Sequence, residues 1–170
     1  MTRLVALLLP LALSACGLTP LYSGSTAGPT AATLAGIEVA PIQGKSGWLV
    51  ANALRDRLAA LGSGAVRYRL NVVLDDRIVG LGARADDAVS RERRTLRARY
   101  QLIDAAQGTV LVDATAGSDA GIDVVGSEYA TIAAESSALE RLSDTVADQI
   151  VARLALYARR TQQQPAPPAR

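Results

Sequence analysis

The sequence contains no histidine and only one cysteine among its 170 residues. Thiol–histidine and Ser-His-Asp catalysis, zinc sites built from histidine or cysteine, and internal disulfides are therefore excluded. Phenylalanine is also absent and aromatic residues make up only 4% of the chain, so base-stacking platforms for single-stranded nucleic acid are poorly supplied. A formal net charge of +2 gives little general attraction for polyanions. We expect no enzyme, no metal site and no nucleic-acid partner.

What is present begins with a lipoprotein signal. Arg3 precedes an apolar run over residues 4–13, which is too short to span a bilayer but suits the h-region of a secretory signal. The run ends in Leu-Ser-Ala-Cys at 13–16, a lipobox, so the only cysteine stands where acylation needs it. An ordinary signal peptide with a chance cysteine is the alternative. We expect Cys16 to carry a covalent lipid and the chain to need no other cofactor. The residue after the cysteine is Gly17 rather than Asp. By analogy with bacterial lipoprotein sorting, this favours transport of the protein to the outer membrane.

The chain is predicted to divide into four parts. Residues 1–15 are the signal peptide. Residues 16–35 form an acylated N-terminus and a flexible tether, because positions 23–33 hold only small or polar side chains. Residues 36–160 form one α+β domain, since 49% of the chain is hydrophobic. Residues 161–170 are a disordered tail rich in glutamine and proline.

The elements of the domain follow from hydrophobic periodicity. Residues 37–42 are predicted to be a short edge strand, and apolar positions at helical spacing predict a helix from a Ser46 cap to Gly62. A second, long helix begins at a Ser127 cap. Alternating residues predict strands over 66–74, 91–102 and 110–116. Residues 75–90 are predicted to be a long hairpin connection that can carry strand extensions, and a Gly/Asp-rich loop follows the last strand.

This order predicts an α+β two-layer sandwich. Consecutive strands with short connections pair antiparallel, so the four-stranded sheet is mostly antiparallel. Two helices that each carry one apolar stripe can cover only one face of it, and both are predicted to pack there. The other face of the sheet remains available to water or to a partner.

Arginines concentrate on that second face. Residues 66–99 contain nine arginines and five acidic residues, and basic positions of the strands are all arginine rather than lysine. Guanidinium groups bind phosphate bidentately, so we predict an anion-binding face. A solvated face whose arginines are balanced by residues such as Asp113 is the alternative. The aspartate pairs at 75–76 and 86–87 are interpreted as turn chemistry rather than as metal ligands. The candidate ligands of lipopolysaccharide phosphates are Arg67, Arg69, Arg91, Arg93, Arg97 and Arg99.

The segment Cys-Gly-Leu-Thr-Pro-Leu-Tyr at 16–22 resembles the start of mature lipopolysaccharide-assembly lipoproteins of the LptE family. The order of elements over the mature chain resembles that family as well. The resemblance implies an outer-membrane lipoprotein that plugs the LptD β-barrel, assists its folding and binds lipopolysaccharide on its way to the outer leaflet. It also implies the same α+β fold and no catalysis. The expected partners are therefore an LptD-type barrel, lipopolysaccharide and, through the lipid anchor, the outer membrane.

Other classes of lipoprotein share some of these features. A pilot lipoprotein for another outer-membrane pore or secretin would have the same anchor, size and lack of catalytic residues. A periplasmic lipid-transfer lipoprotein would need an enclosed apolar cavity, which a sheet covered on one side by two helices is not expected to provide.

Overall fold

The computed structural model describes residues 28–83 and 89–163. The predicted signal peptide, Cys16, most of the predicted tether and the end of the Gln/Pro tail lie outside these residues. The elements, in chain order, are α1 (Pro29–Ala35), β1 (Ile37–Val39), α2 (Gly44–Ala59), β2 (Tyr68–Ala83), β3 (Val89–Asp104), β4 (Val110–Asp123) and α3 (Glu128–Gln163).

The four strands form one sheet in the order β1-β2-β3-β4. The short β1 runs parallel to β2, with Ile37 opposite Tyr68, and the remaining pairs are antiparallel. The turn between β3 and β4 is closed by Asp104, whose Oδ1 accepts hydrogen bonds from the backbone N–H groups of Ala106 and Gln107, both at 2.9 Å. The α+β fold with a mostly antiparallel sheet is confirmed.

The core lies between one face of the sheet and the helices. Even-numbered residues of β2 and β3 point into it, because alternate side chains of a strand face opposite ways. The fully shielded members of these strands are Leu70, Leu96, Ala98, Tyr100 and Leu102. The stripe predicted for the long helix supplies the other layer through Leu139, Leu142, Val146, Ile150 and Leu154. Burial of these side chains supplies the main stabilising free energy of the fold.

An arginine joins the two main helices on their solvent side. The Nε of Arg57 on α2 donates to Oδ1 of Asp148 on α3 at 2.6 Å, and its Nη2 donates to Oδ1 of Asp144 at 3.2 Å. The hydrogen bond to Asp148 raises the pKa of Arg57, and the same bond lowers the pKa of Asp148. Because α2 and α3 run in the same direction, this contact fixes their relative height on the sheet.

Part of the predicted tether is a helix. The expected flexible segment 16–35 ends early, because Pro29–Ala35 form α1 and bury Ala31 and Leu34. Proline is suited to the first turn of a helix, and a single leucine among small residues is enough to hold this short helix against the core. At the other end of the chain, α3 continues through Gln163, so the first residues assigned to the disordered tail are helical.

The other differences lie at element boundaries. Helix α2 begins at Gly44, with Gln43 rather than Ser46 at the N-cap, because the backbone of Ile42 packs directly against Gly47. A Cβ at residue 47 would lie 2.7 Å from the carbonyl carbon of Ile42, so only glycine allows this entry into the helix. The Ser127 cap of α3 is confirmed, since its Oγ accepts the N–H of Ala130 at 3.4 Å.

The predicted hairpin connection carries a strand extension, and the loop predicted after the last strand begins as strand. Residues 75–83 continue β2 and residues 117–123 continue β4, although both are rich in glycine and aspartate. Their pairing to the long β3 overrides the turn propensity of these residues. The sheet therefore extends well beyond α2. No helix within residues 28–83 and 89–163 is long and apolar enough to cross a membrane.

Candidate anion-binding face

The six candidate arginines lie on one surface. We call this surface the open face: the side of the sheet turned away from α2 and α3, which carries the odd-numbered residues of β2, β3 and β4. Arg69 lies on β2 and Arg67 directly before it. All six candidate side chains are exposed, as the alternation of the strands predicts. The four candidates on β3 are Arg91, Arg93, Arg97 and Arg99.

Two of the six are neutralised by aspartates of β4. Arg99 donates through Nε and Nη2 to both carboxylate oxygens of Asp113, at 3.2 and 2.9 Å, and Gln101 donates to the same carboxylate. The hydrogen bond from Arg99, followed by that from Gln101, lowers the pKa of Asp113 to about 2. Arg91 forms a single bond to Asp123 at 3.0 Å. The balance by residues such as Asp113, which the sequence left open as an alternative, therefore holds for two of the six arginines.

Four candidates have no such partner. Among the described residues, no carboxylate lies within 4 Å of the guanidinium groups of Arg67, Arg69, Arg93 and Arg97. Two carboxylates of the open face, on Glu38 and Asp119, are likewise outside ion-pair distance of any described cation. The unpaired charge of this face therefore remains positive, and an incoming anion would not have to displace an internal partner.

The side chain of Arg97 lies flat against the surface of the sheet. Its side chain crosses the strand next to it at Gly117, where a Cβ would lie 2.5 Å from Cδ and 2.6 Å from Nη1 of the arginine. Gly117 stands opposite Arg97 in the ladder. The absence of a side chain at this position lets the guanidinium lie along the surface instead of extending into water.

Apolar side chains stand beside the arginines. Val73 and Val79 of β2 are 71% and 56% exposed on the open face. In the ladder Val73 lies opposite Arg99 and Val79 opposite Arg93, so each exposed valine stands beside an arginine of β3. Val79 and the Arg77–Asp75 pair of this face were not among the predicted site residues, because they lie in the segment predicted as a hairpin connection. The alternation of Arg77, Val79 and Leu81 was the available signal.

A further arginine on β3 faces the other way. Arg94 has even parity and lies on the covered side, where Nε and Nη2 donate to the two carboxylate oxygens of Asp76 at 2.9 and 2.7 Å. Its Nη1 donates to the backbone carbonyl of Glu135 on α3 at 3.1 Å. The interpretation of Asp76 as turn chemistry is wrong: this residue anchors the arginine that ties the start of α3 to the sheet.

The chemistry of the open face is recognition of charge. Arginine and valine side chains supply hydrogen-bond donors and apolar contact, and they hold no nucleophile or general base. Within residues 28–83 and 89–163 no three histidine, cysteine or acidic side chains converge as metal ligands would. Each arginine can donate two parallel hydrogen bonds to a phosphate, so the arrangement is suited to a phosphorylated amphiphile.

The comparisons with known proteins agree on the class of protein to which this chain is similar. The family model described as LptE, lipopolysaccharide-assembly, matches residues 34–154. No curated protein matches the sequence. A protein from Caulobacter crescentus described as a lipoprotein has a similar structure, with a TM-score of 0.62 and 27% identity, covering 76% of this chain and 96% of that one.

Two further structures share the fold. A minor lipoprotein from Acinetobacter baumannii aligns with a TM-score of 0.59 and 16% identity, over 71% of this chain and 91% of that one. Rare lipoprotein B from Shewanella oneidensis aligns with a TM-score of 0.55 and 10% identity, over 74% of this chain and 100% of that one.

Proposed function

Because the chain belongs to the LptE family of lipopolysaccharide-assembly proteins, we propose that its open face binds the phosphates of lipopolysaccharide during delivery to the outer membrane. The observation that carries this proposal is the set of four exposed arginines without a carboxylate partner in the described chain. The proposal includes no catalytic step.

The neighbouring arginines and valines of the open face match the two parts of a glycolipid. Guanidinium groups of Arg93 and Arg97 bind phosphate, while Val73 and Val79 contact the apolar part of the same molecule. Lipopolysaccharide molecules aggregate through divalent cations that bridge their phosphates. Arginines that compete for those phosphates loosen the aggregate, so that single molecules are passed on.

We further propose that the protein acts as a lipid-anchored plug of an LptD-type β-barrel. A lumen of such a barrel is polar, and the open face presents mostly charged groups to it. The start of α3 offers a second contact surface, because Tyr129 and Ile132 are 84% and 53% exposed. Acylation of Cys16 holds the domain at the outer membrane, where multiple acyl chains anchor a protein durably.

Binding to purified lipopolysaccharide tests the role of the arginines. Replacement of Arg67, Arg69, Arg93 and Arg97 by glutamine should weaken binding at least tenfold, since each charge-assisted contact contributes about 1.5–3 kcal/mol. Arg55 and Arg141 are exposed on the helices, so the double glutamine variant of these two is the matched control and should bind as the parent does.

Two outcomes contradict the proposal. If the fourfold variant and the parent bound lipopolysaccharide with equal affinity at low salt, the open-face arginines would not be its binding site. Co-purification of the acylated protein with a secretin or another pore, and not with an LptD-type barrel, would favour a pilot lipoprotein. Thermal melting of each variant checks that the fold is retained.

A further inference from the structure

A groove between β4 and α3 lies on the covered side of the sheet, away from the open face. Its volume is about 460 Å³, and Tyr100, Gln149 and Arg153 contribute to its walls. Ala114 and Ala116 of the edge strand also line it, and their small side chains leave the groove accessible from the edge of the sheet. A side chain from beyond β4 can therefore reach the interior of the groove.

Tyr100 points a polar group into this space. The residue is only 2% exposed, and no described residue forms a hydrogen bond with its hydroxyl, which the open groove leaves accessible. Burial raises the pKa of Tyr100, and the nearby positive charge of Arg153 partly opposes that rise. Arg153 is exposed and forms no ion pair with a described residue. Two hydrogen-bond donors that no described carboxylate engages thus face the groove.

The backbone edge of β4 is already completed at one point by a side chain. Gln149 of α3 donates through Nε2 to the carbonyl of Gly117 at 3.3 Å and accepts the N–H of Gly117 at 3.0 Å through Oε1. This is the pair of bonds that a neighbouring strand would make. Residues two apart on an antiparallel strand direct their N–H and C=O groups the same way, so Asp113 and Thr115 offer theirs to the same side. No described residue bonds these backbone groups.

We propose that this edge binds an extended acidic segment of a partner protein as a fifth strand. The partner's backbone pairs with Asp113 and Thr115, and a glutamate or aspartate opposite Ala114 lies over the small side chain. Its carboxylate accepts hydrogen bonds from the Tyr100 hydroxyl and the Arg153 guanidinium. Backbone pairing supplies affinity, and the carboxylate supplies specificity and register.

The charges around the groove favour an acidic partner. Helix α3 carries no acidic residue after Asp148, and Arg160 follows Arg153 along the same side of the helix. On the open face of the same edge, Asp119 repels an acidic side chain, so both faces of β4 favour an incoming strand whose acidic side chains lie on the covered side. None of the unpaired open-face arginines lines this groove, so the proposed contact is independent of lipopolysaccharide binding.

The test uses the mature chain, residues 16–170, with Cys16→Ser so that no lipid is attached. The probe is a blocked octapeptide of alternating threonine and glutamate, and its matched control has glutamine in place of glutamate. Calorimetry measures affinity, and NMR measures amide shifts and hydrogen exchange. The glutamate peptide should slow exchange at Asp113 and Thr115 and bind at least tenfold more tightly than the control.

Single variants separate the contribution of the Tyr100 hydroxyl from that of the Arg153 guanidinium. Tyr100→Phe, which keeps the ring, should weaken the glutamate peptide about fivefold, and Arg153→Gln about tenfold, while Arg141→Gln on the exposed side of α3 leaves binding unchanged. Methylation of the peptide's backbone nitrogens should abolish binding. Equal affinity of the two peptides, or slowed exchange at Glu38 on the opposite edge instead, would overturn the proposal. The proposal would also be overturned if acetate alone reproduced the amide shifts and the peptide did not slow hydrogen exchange at Asp113 and Thr115.

Discussion

Replacing Arg94 with methionine removes the cation from an ion pair that is largely shielded from water. The side chains of Arg94 and Asp76 are only 13% and 20% exposed, and two short hydrogen bonds join them. The substitution leaves the Asp76 carboxylate without its donor and also removes the bond to the carbonyl of Glu135. Breaking a buried pair by removing one partner costs about 3–5 kcal/mol. Because this pair keeps some contact with water, we expect about 3 kcal/mol.

Urea unfolding and thermal melting measure this loss. A loss of about 3 kcal/mol corresponds to a fall in Tm of about 10 °C for a domain of this size. The double variant Arg94→Met with Asp76→Leu should recover most of the loss, because no buried charge is left unpaired. Arg77→Met is the matched control: its partner Asp75 lies on the exposed surface, and no measurable change is expected. An Arg94→Met variant as stable as the parent would refute the reasoning, as would a double variant less stable than the single one.

Three further predictions concern pH and close packing. Hydrogen bonds from its arginine and glutamine partners lower the pKa of Asp113 from 3.8 to about 2, so its contribution to stability is complete above the ordinary pKa and disappears as the pH falls toward 2. Asp113→Asn should flatten the dependence of unfolding free energy on pH in that interval, and an unchanged slope would contradict the assignment. Gly47→Ala should lower the unfolding free energy by about 2 kcal/mol, since its Cβ would lie 2.7 Å from the backbone of Ile42; urea denaturation measures it. Gly117→Ala should lower the unfolding free energy by about 1 kcal/mol, because the flexible side chain of Arg97 can move aside. A loss equal to or greater than that of Gly47→Ala would show that the Arg97 side chain cannot move.

The division of the sheet into two faces was predictable from residue alternation. Leu70 and Leu96 are buried while Arg69 and Arg97 are exposed, as period-two patterns require. The stripe of the long helix was also predictable, except at Ile132, which is exposed because the helix begins beyond the core. In these elements local pattern and tertiary packing favour the same structure.

The length of the strand extensions could not be predicted, because glycine and aspartate favour turns in isolation. Their pairing depends on β3, which is distant in sequence from residues such as Gly117 and Asp119. The same limit applies to the candidate site. Sequence located the arginines, but which of them Asp113 and Asp123 neutralise depends on side-chain geometry across the ladder.

Photo-crosslinking in cells tests the central claim most directly. A photoreactive amino acid placed at Val73 or Val79 of the full, acylated protein lies beside the arginines of β3, while one at Trp48 is exposed on the helix side. The account predicts lipopolysaccharide adducts from the two open-face positions, reduced when Arg93 and Arg97 are glutamine, and few from the helix side. Adducts at Val73 and Val79 that contain only barrel protein, with lipopolysaccharide captured at Trp48, would contradict it.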